Sequence, residues 1–139
     1  MISIRNISIQ FDGKYIIKDL SLDIRASEQL CLFAPSGRGK TTLLRVLCGL
    51  QPIDSGSVEG LEGKRIAVLF QEDRLLPQRS AEDNLKLVLP PEHHHEALIW
   101  LDRLGLADSA HKTPLQLSGG MRRRLAIART LAYGGDLYL

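Results

Sequence analysis

The sequence predicts an α/β domain, because strand-like and helix-like segments alternate around two glycine-rich loops. Residues 2–11 and 15–24 alternate apolar and polar side chains, and Asp12-Gly13 between them is typical of a hairpin turn. An apolar run at 29–33 predicts a short buried strand, which leads through the first glycine-rich loop into a helical pattern at 42–48.

The first glycine-rich loop has the spacing of a phosphate-binding P-loop. Glycines allow the backbone N–H groups to curl around phosphates, a Lys reaches the β- and γ-phosphates, and a hydroxyl ligates Mg²⁺. Lys40 and Thr41 take the last two roles, and the N-terminus of the following helix adds partial positive charge. The predicted nucleotide contacts are Ser36, Gly37, Arg38, Gly39, Lys40, Thr41 and Thr42.

Ala34 stands where the P-loop pattern has its first glycine. Alanine carries a Cβ and avoids positive φ. We therefore expect weaker nucleotide binding if the backbone at this position is left-handed.

The second glycine-rich loop is Leu117-Ser118-Gly119-Gly120-Met121. Ser118 is a good N-cap, and Gly119 and Gly120 leave helix-terminal N–H groups uncovered for an anion. With both motifs in one chain, the sequence resembles the nucleotide-binding subunit of an ATP-binding cassette (ABC) transporter. Ser118-Gly119-Gly120 matches the family signature, residues 125–129 match its continuation, and Met121 replaces the usual Gln.

Further positions share the resemblance. Phe11 occupies the place of the aromatic ring that stacks on adenine, with Tyr15 as the weaker candidate. Gln71 resembles the Q-loop glutamine, which in the family touches Mg²⁺ and the attacking water in a loop that senses the permease. Residues 75–77 and 82–85 are closest to importer subunits of the nitrate, sulfonate and taurine group.

The resemblance implies a fold and partners. The expected fold is a RecA-like P-loop core with a mainly parallel sheet, an N-terminal antiparallel β subdomain and a helical subdomain. The expected segments are 1–71, 72–118 and 119–139. The resemblance also implies ATP and Mg²⁺ as cofactors, transmembrane permease subunits as partners, and a second nucleotide-binding subunit in a head-to-tail dimer. A periplasmic or lipid-anchored substrate-binding protein and a location on the cytoplasmic face of the membrane follow from the same resemblance.

Residues 137–139 resemble the start of the Walker B strand, whose Asp and Glu, with the later D-loop and His, would lie beyond Leu139. Asp136 precedes this strand and is not expected to be the acid. We therefore expect residues 1–139 to lack the C-terminal part of the domain, and to bind ATP but hydrolyse it poorly. Two alternatives are open: a non-catalytic module that binds nucleotide or a partner, and a soluble ABC protein that acts on nucleic acid or ribosomes.

The remaining elements follow from start and stop signals. They are a strand near Val58, a strand at 66–70, a helix from the capping box at Ser80 to Pro90, a helix closed by Gly105, and a helix from Ser118 to Gly134.

Composition excludes several functions. A net charge of +2 is too small to indicate a nucleic-acid partner, and we interpret residues 122–124 as a mixture of solvent-facing and subunit-facing arginines. Residues 93–95 are adjacent histidines that point apart on a helix, which favours a solvated helix start over a metal site. Cys31 and Cys48 are expected to be buried in a reducing cytosol, and no apolar run approaches the ~20 residues that span a bilayer.

Overall fold

The computed structural model describes residues 1–139 and divides them into two units, 1–64 and 65–139. The first unit contains a three-stranded antiparallel sheet and one helix. Its elements are β1 (Ile2–Phe11), β2 (Lys14–Ile24), α1 (Lys40–Leu47) and β3 (Ser55–Glu59), with the strand order β2-β1-β3. The predicted hairpin is confirmed, and Asp12 and Gly13 at its turn both take positive φ, 49° and 74°.

β1 contains a β-bulge, which explains why its isoleucines depart from a strict alternation along the strand. A strict period of two would place Ile2 and Ile4 on one face and Ile7 and Ile9 on the other. The pairing with β2 shifts register between Ile4 and Ile7, where Asn6 takes φ 45°. Because the irregularity adds one residue at this point, all four isoleucines lie on the buried face, each at most 5% exposed.

The prediction of a strand at 29–33 is wrong. This segment has no regular secondary structure, and neither sheet pairs with it. An apolar run becomes a strand only when a neighbouring strand supplies its hydrogen bonds. The Phe33 side chain is 97% exposed as a result.

The prediction that both cysteines are buried is wrong for Cys31, which lies in the unpaired segment and is exposed. Cys48 caps the C-terminal end of α1 and is partly buried, and this burial raises the pKa of its thiol.

The second unit is mainly helical. Its elements are β4 (Ile66–Ala67), α2 (Ala81–Lys86), α3 (Glu96–Arg103), α4 (Gly119–Tyr133) and β5 (Leu137–Tyr138), with short 3₁₀ turns at Pro91–His93, Ala107–Ser109 and Pro114–Gln116. Parallel pairing is confined to β4 and β5. The longest helix, α4, has 15 residues, and no helix has the length and apolar character needed to cross a membrane.

The helices of the second unit share one apolar core. The predicted starts at Ser80 and Ser118 and the predicted ends at Gly105 and Gly134 are confirmed. Trp100 packs against this core and is only partly buried. The buried members are Ala81, Leu85, Leu89, Ala97, Leu101, Leu106, Leu117, Leu125 and Ala128.

Two elements of the second unit are shorter than predicted. α2 ends at Lys86 and does not reach Pro90, and β4 has two residues where a strand at 66–70 was expected. Asp136 ties the start of β5 to β4, because its carboxylate Oδ2 accepts a hydrogen bond from the Arg65 N–H at 2.9 Å. Past the end of β5, the Leu139 N–H donates to the Ala67 carbonyl at 2.9 Å.

Asn84 ties the loop before α2 to that helix. Its side chain is fully buried, and its Oδ1 accepts from the Leu76 N–H at 2.8 Å. The two protons of its Nδ2 are shared among the carbonyls of Leu76, Arg79 and Ser80 at 3.1, 3.2 and 2.9 Å. One side chain therefore replaces the regular hydrogen bonds that this loop lacks.

The variant Asn84→Ala should lower the free energy of unfolding by about 1–3 kcal/mol, because it leaves buried loop groups without partners. Urea denaturation measures this change, with the exposed Gln78→Ala as the control. Equal midpoints for the two variants would show that Asn84 does not hold the loop.

Candidate functional site

The N-terminus of α1 differs from those of α2 and α4. α2 and α4 begin at Ser80 and Ser118, whose hydroxyl oxygens accept from the N–H groups of Asp83 at 3.0 Å and Met121 at 3.2 Å. α1 begins at Gly39, which has no side chain to cap the helix, and no acidic residue lies in its first turn. Its first N–H groups are therefore free of a capping side chain and suited to an anion.

Gly37 and Gly39 give the loop its curvature, with φ values of 77° and 79°. A Cβ on Gly39 would lie 2.9 Å from the carbonyl oxygen of Ile16 and 3.1 Å from Cγ1 of Ile17, whereas one on Gly37 would meet nothing within 4 Å. The start of α1 thus rests directly on β2, and only glycine fits at the point of contact.

Ala34 is not among the non-glycine residues at positive φ, so its Cβ imposes no left-handed strain. The condition under which we expected the alanine to weaken nucleotide binding is not met. The sequence could not decide this, because φ at a single alanine depends on the packing of the whole loop.

Lys40 closes the loop. Its Nζ donates to the carbonyl oxygens of Ala34 at 2.6 Å and Pro35 at 2.9 Å, and an ammonium has three protons to donate. Thr41 follows with an exposed side chain, and Thr42 is partly buried. A cavity of about 280 Å³ adjoins the loop, with Lys18, Arg38 and Lys40 among its lining residues. These free donors and cations fit a phosphate group, and the Thr41 hydroxyl fits a hard metal ion such as Mg²⁺.

Phe11 lies in the same unit as the P-loop, at the end of β1, and the residue is 47% exposed. Tyr15 is also exposed, and the Lys18 ammonium lies 5.2 Å from the centre of its ring. Both rings are therefore accessible to a flat ligand.

Three predicted site residues lie together at the start of α4, in the second unit. Ser118, Gly119 and Gly120 are all exposed, and no acidic residue lies in the first turn of this helix. Because the Ser118 oxygen already accepts from the Met121 N–H, the hydroxyl keeps its proton available for a ligand.

Gln71 lies in the second unit, with an exposed side chain that makes no hydrogen bond to the protein. Its backbone is held from α4, because the Arg123 guanidinium donates to the Phe70 carbonyl at 2.6 Å and approaches the Gln71 carbonyl at 3.4 Å.

The arginines of α4 are the residues whose contacts the sequence analysis missed. Arg122 and Arg124 donate to the carbonyls of Leu117 at 2.8 Å and Leu104 at 3.2 Å, so they bind the domain's own loops. No sequence signal marks these contacts, because their partners lie at unrelated separations along the chain. His93 pairs with Glu96 at 2.7 Å, and no group of three or more His, Cys, Asp or Glu residues is arranged to hold a metal ion.

Comparison with known proteins places this chain in a family. The ABC transporter family model matches residues 17–139. The chain is 38% identical over 146 residues to an aliphatic sulfonates import ATP-binding protein of Cupriavidus necator, covering 98% of this chain and 48% of that protein. It is 43% identical over 139 residues to a similarly named protein of Frankia alni, covering 99% and 56%. The chain spans about half the length of the curated relatives it matches.

A solved structure agrees. The chain is similar, with a TM-score of 0.80 and 27% identity, to the ATP-binding cassette MJ0796 in a post-hydrolysis dimer bound to ADP and Pi. The match covers 96% of this chain and 70% of that one, which confirms the predicted fold class. The chain belongs to the ABC transporter family, as the two glycine-rich motifs indicated.

Proposed function

We propose that this chain forms the ATP-binding part of an ABC importer, in which ATP binding and hydrolysis drive transport across a membrane. The observation that carries the proposal is the N-terminus of α1, which Gly39 leaves uncapped beside Lys40. The importer class is supported by the names of the relatives, and aliphatic sulfonates are the substrate class those names suggest.

Different P-loop residues would contact different parts of the nucleotide. We assign the N–H groups from Gly37 to Thr42 and the Lys40 ammonium to the β- and γ-phosphates, with Ser36 and Arg38 at the rim. Lys40 would exchange its bonds to the loop carbonyls for bonds to phosphate oxygens. Phe11 would stack on the adenine ring, since its exposed ring lies in the same unit.

The Thr41 hydroxyl and the Gln71 amide oxygen are the proposed ligands of Mg²⁺. The metal, when bound, would neutralise charge on the phosphates. Gln71 would also orient the attacking water, because its side chain is exposed and has no partner in the protein. The expectation that residues 1–139 alone hydrolyse ATP poorly stays a prediction.

We further propose a second nucleotide-binding subunit as partner, arranged head to tail. Ser118, Gly119 and Gly120 of one subunit would then face the γ-phosphate held by Lys40 of the other. The free hydroxyl proton of Ser118 and the uncovered glycine N–H groups support this role. Permease subunits would dock near Gln71 on the cytoplasmic face of the membrane, with a substrate-binding protein on the other side. The subdomain limits 1–71, 72–118 and 119–139 belong to the same proposal.

Replacing Lys40 by alanine tests the nucleotide assignment. Lys40→Ala should weaken binding of a fluorescent ATP analogue by about 10- to 100-fold, the loss expected for a charge-assisted hydrogen bond. The exposed Lys64→Ala is the control and should bind normally. Equal affinity for both variants would remove the P-loop from the proposal.

Substitutions at Gly39 and Ala34 should affect ATP binding differently. Gly39→Ala should weaken ATP binding by about tenfold or more, because its Cβ would collide with the Ile16 carbonyl at a left-handed backbone. Ala34→Gly should leave affinity equal or slightly tighter. Calorimetric titration measures both, and a large loss for Ala34→Gly would show that the alanine side chain supports the loop.

The head-to-tail dimer predicts an effect of Ser118→Arg. In a chimera that continues residues 1–139 with the C-terminal half of the Frankia alni relative, this variant should block ATP-driven dimerisation but spare ATP binding by the monomer. Light scattering follows the dimer, with Asp108→Arg as an exposed control. Undiminished dimerisation of Ser118→Arg would contradict the proposed arrangement.

A further inference from the structure

Two arginines of α4 hold the segment Phe70–Arg74, which contains Gln71. Arg123 donates from Nη1 to the Phe70 carbonyl at 2.6 Å, and the same nitrogen lies 3.4 Å from the Gln71 carbonyl and from the Asp73 carboxylate. Arg129 donates from Nη1 to the Arg74 carbonyl and from Nη2 to the Asp73 carbonyl, both at 2.9 Å.

Arg123 and Arg129 restrain opposite ends of the segment 70–74. Arg123 and Arg129 are six residues apart on one helix, which separates their backbones by about 9 Å along its axis. Arg123 contacts the beginning of the segment and Arg129 contacts its end. A segment held at both ends cannot pivot about a single hydrogen bond.

Loss of the Arg129 hydrogen bonds would carry a large free-energy cost. Its side chain is partly buried, and burial lowers the pKa of its guanidinium, while the nearby Asp73 carboxylate acts in the opposite direction. A partly buried cation that loses its hydrogen-bond acceptors still carries the free-energy cost of desolvation, and no interaction offsets that cost. The guanidinium fork also serves two carbonyls at once, which a lysine ammonium on a flexible stem does not reproduce.

The segment itself is strained. Arg74 takes φ 47°, a conformation that a non-glycine residue rarely adopts, and its guanidinium lies 3.7 Å from the centre of the Phe70 ring. Such a backbone persists where its surroundings hold it in place, and strain of this kind concentrates at functional loops.

We propose that Arg123 and Arg129 are positioning residues that fasten the segment 70–74 to α4, so that Gln71 and the signature Ser118 move as one rigid body. Arg123 and Arg129 together form the arginine clasp. The clasp fixes the backbone of Gln71 and leaves its side chain free for the metal and water, so this inference rests on the role proposed for Gln71. A shift of α4 at the signature would then displace Gln71 directly.

A spin label tests the clasp without nucleotide. The label is attached at Glu72→Cys, an exposed position without hydrogen bonds, in a chain that carries Cys31→Ser and Cys48→Ala. The label should be restricted in the parent, and more mobile in Arg123→Ala and in Arg129→Lys. Arg124→Ala, which removes a bond from the same helix to Leu104, should leave mobility unchanged. Unchanged mobility in both clasp variants, with circular dichroism showing folded protein, would overturn the proposal.

Magnesium dependence tests whether the clasp serves Gln71. ATP affinity is measured with Mg²⁺ and with EDTA in the parent, Arg129→Lys, Arg124→Ala and Gln71→Ala. The stimulation by Mg²⁺ should fall at least about fivefold in Arg129→Lys and Gln71→Ala, the lower end of typical couplings between sites. The affinity in EDTA should not change in Arg129→Lys, whereas general loss of structure would lower both affinities.

The outcomes separate the two proposals. If Lys40→Ala also leaves ATP affinity unchanged, the proposed function fails, and the spin label alone decides whether the clasp exists. If the label becomes mobile while Mg²⁺ stimulation stays at the parent value, the clasp does not position Gln71, and the inference is wrong.

Discussion

The contact between Gly39 and the Ile16 carbonyl is the constraint on which the candidate site depends. It lets α1 begin directly against β2, with a left-handed backbone that has no room for a Cβ. Because glycine supplies no capping side chain, the first N–H groups of the helix are left for an anion. Lys40 then closes the loop from inside by binding the carbonyls of Ala34 and Pro35. One close approach of two backbones thus sets the position of the helix, the donors and the cation.

In the second unit, arginines organise the loops. Four arginines of α4 donate to backbone carbonyls that lie outside the helices and strands, and these contacts give the carbonyls a hydrogen-bond partner. The guanidinium groups of this helix therefore bind backbone carbonyls of the domain itself. Asn84 does the same for the loop before α2 with a single buried amide. The donors are Arg122, Arg123, Arg124 and Arg129.

Much of the fold could be predicted because its signals are local. Turn residues at Asp12-Gly13, caps at Ser80 and Ser118, and glycines after α3 and α4 act within a few residues, and the structure confirms them. The apolar run at 29–33 also looks local, but a strand needs a partner that the run itself does not encode. The β-bulge in β1 shows the same limit, because only its pairing with β2 defines it. In the site, the P-loop follows from spacing, whereas the clasp joins residues more than fifty positions apart.

The central claim is that the uncapped N-terminus of α1 is the phosphate site. Titration of the ¹⁵N-labelled chain with Mg-ATP, followed by amide chemical shifts, tests it most directly. The account predicts that the largest shifts fall on Gly37, Gly39, Lys40 and Thr41, and that inorganic tripolyphosphate reproduces them. The account would be contradicted if the amide chemical shifts of the P-loop stayed unchanged while those of the residues after Ser118 changed.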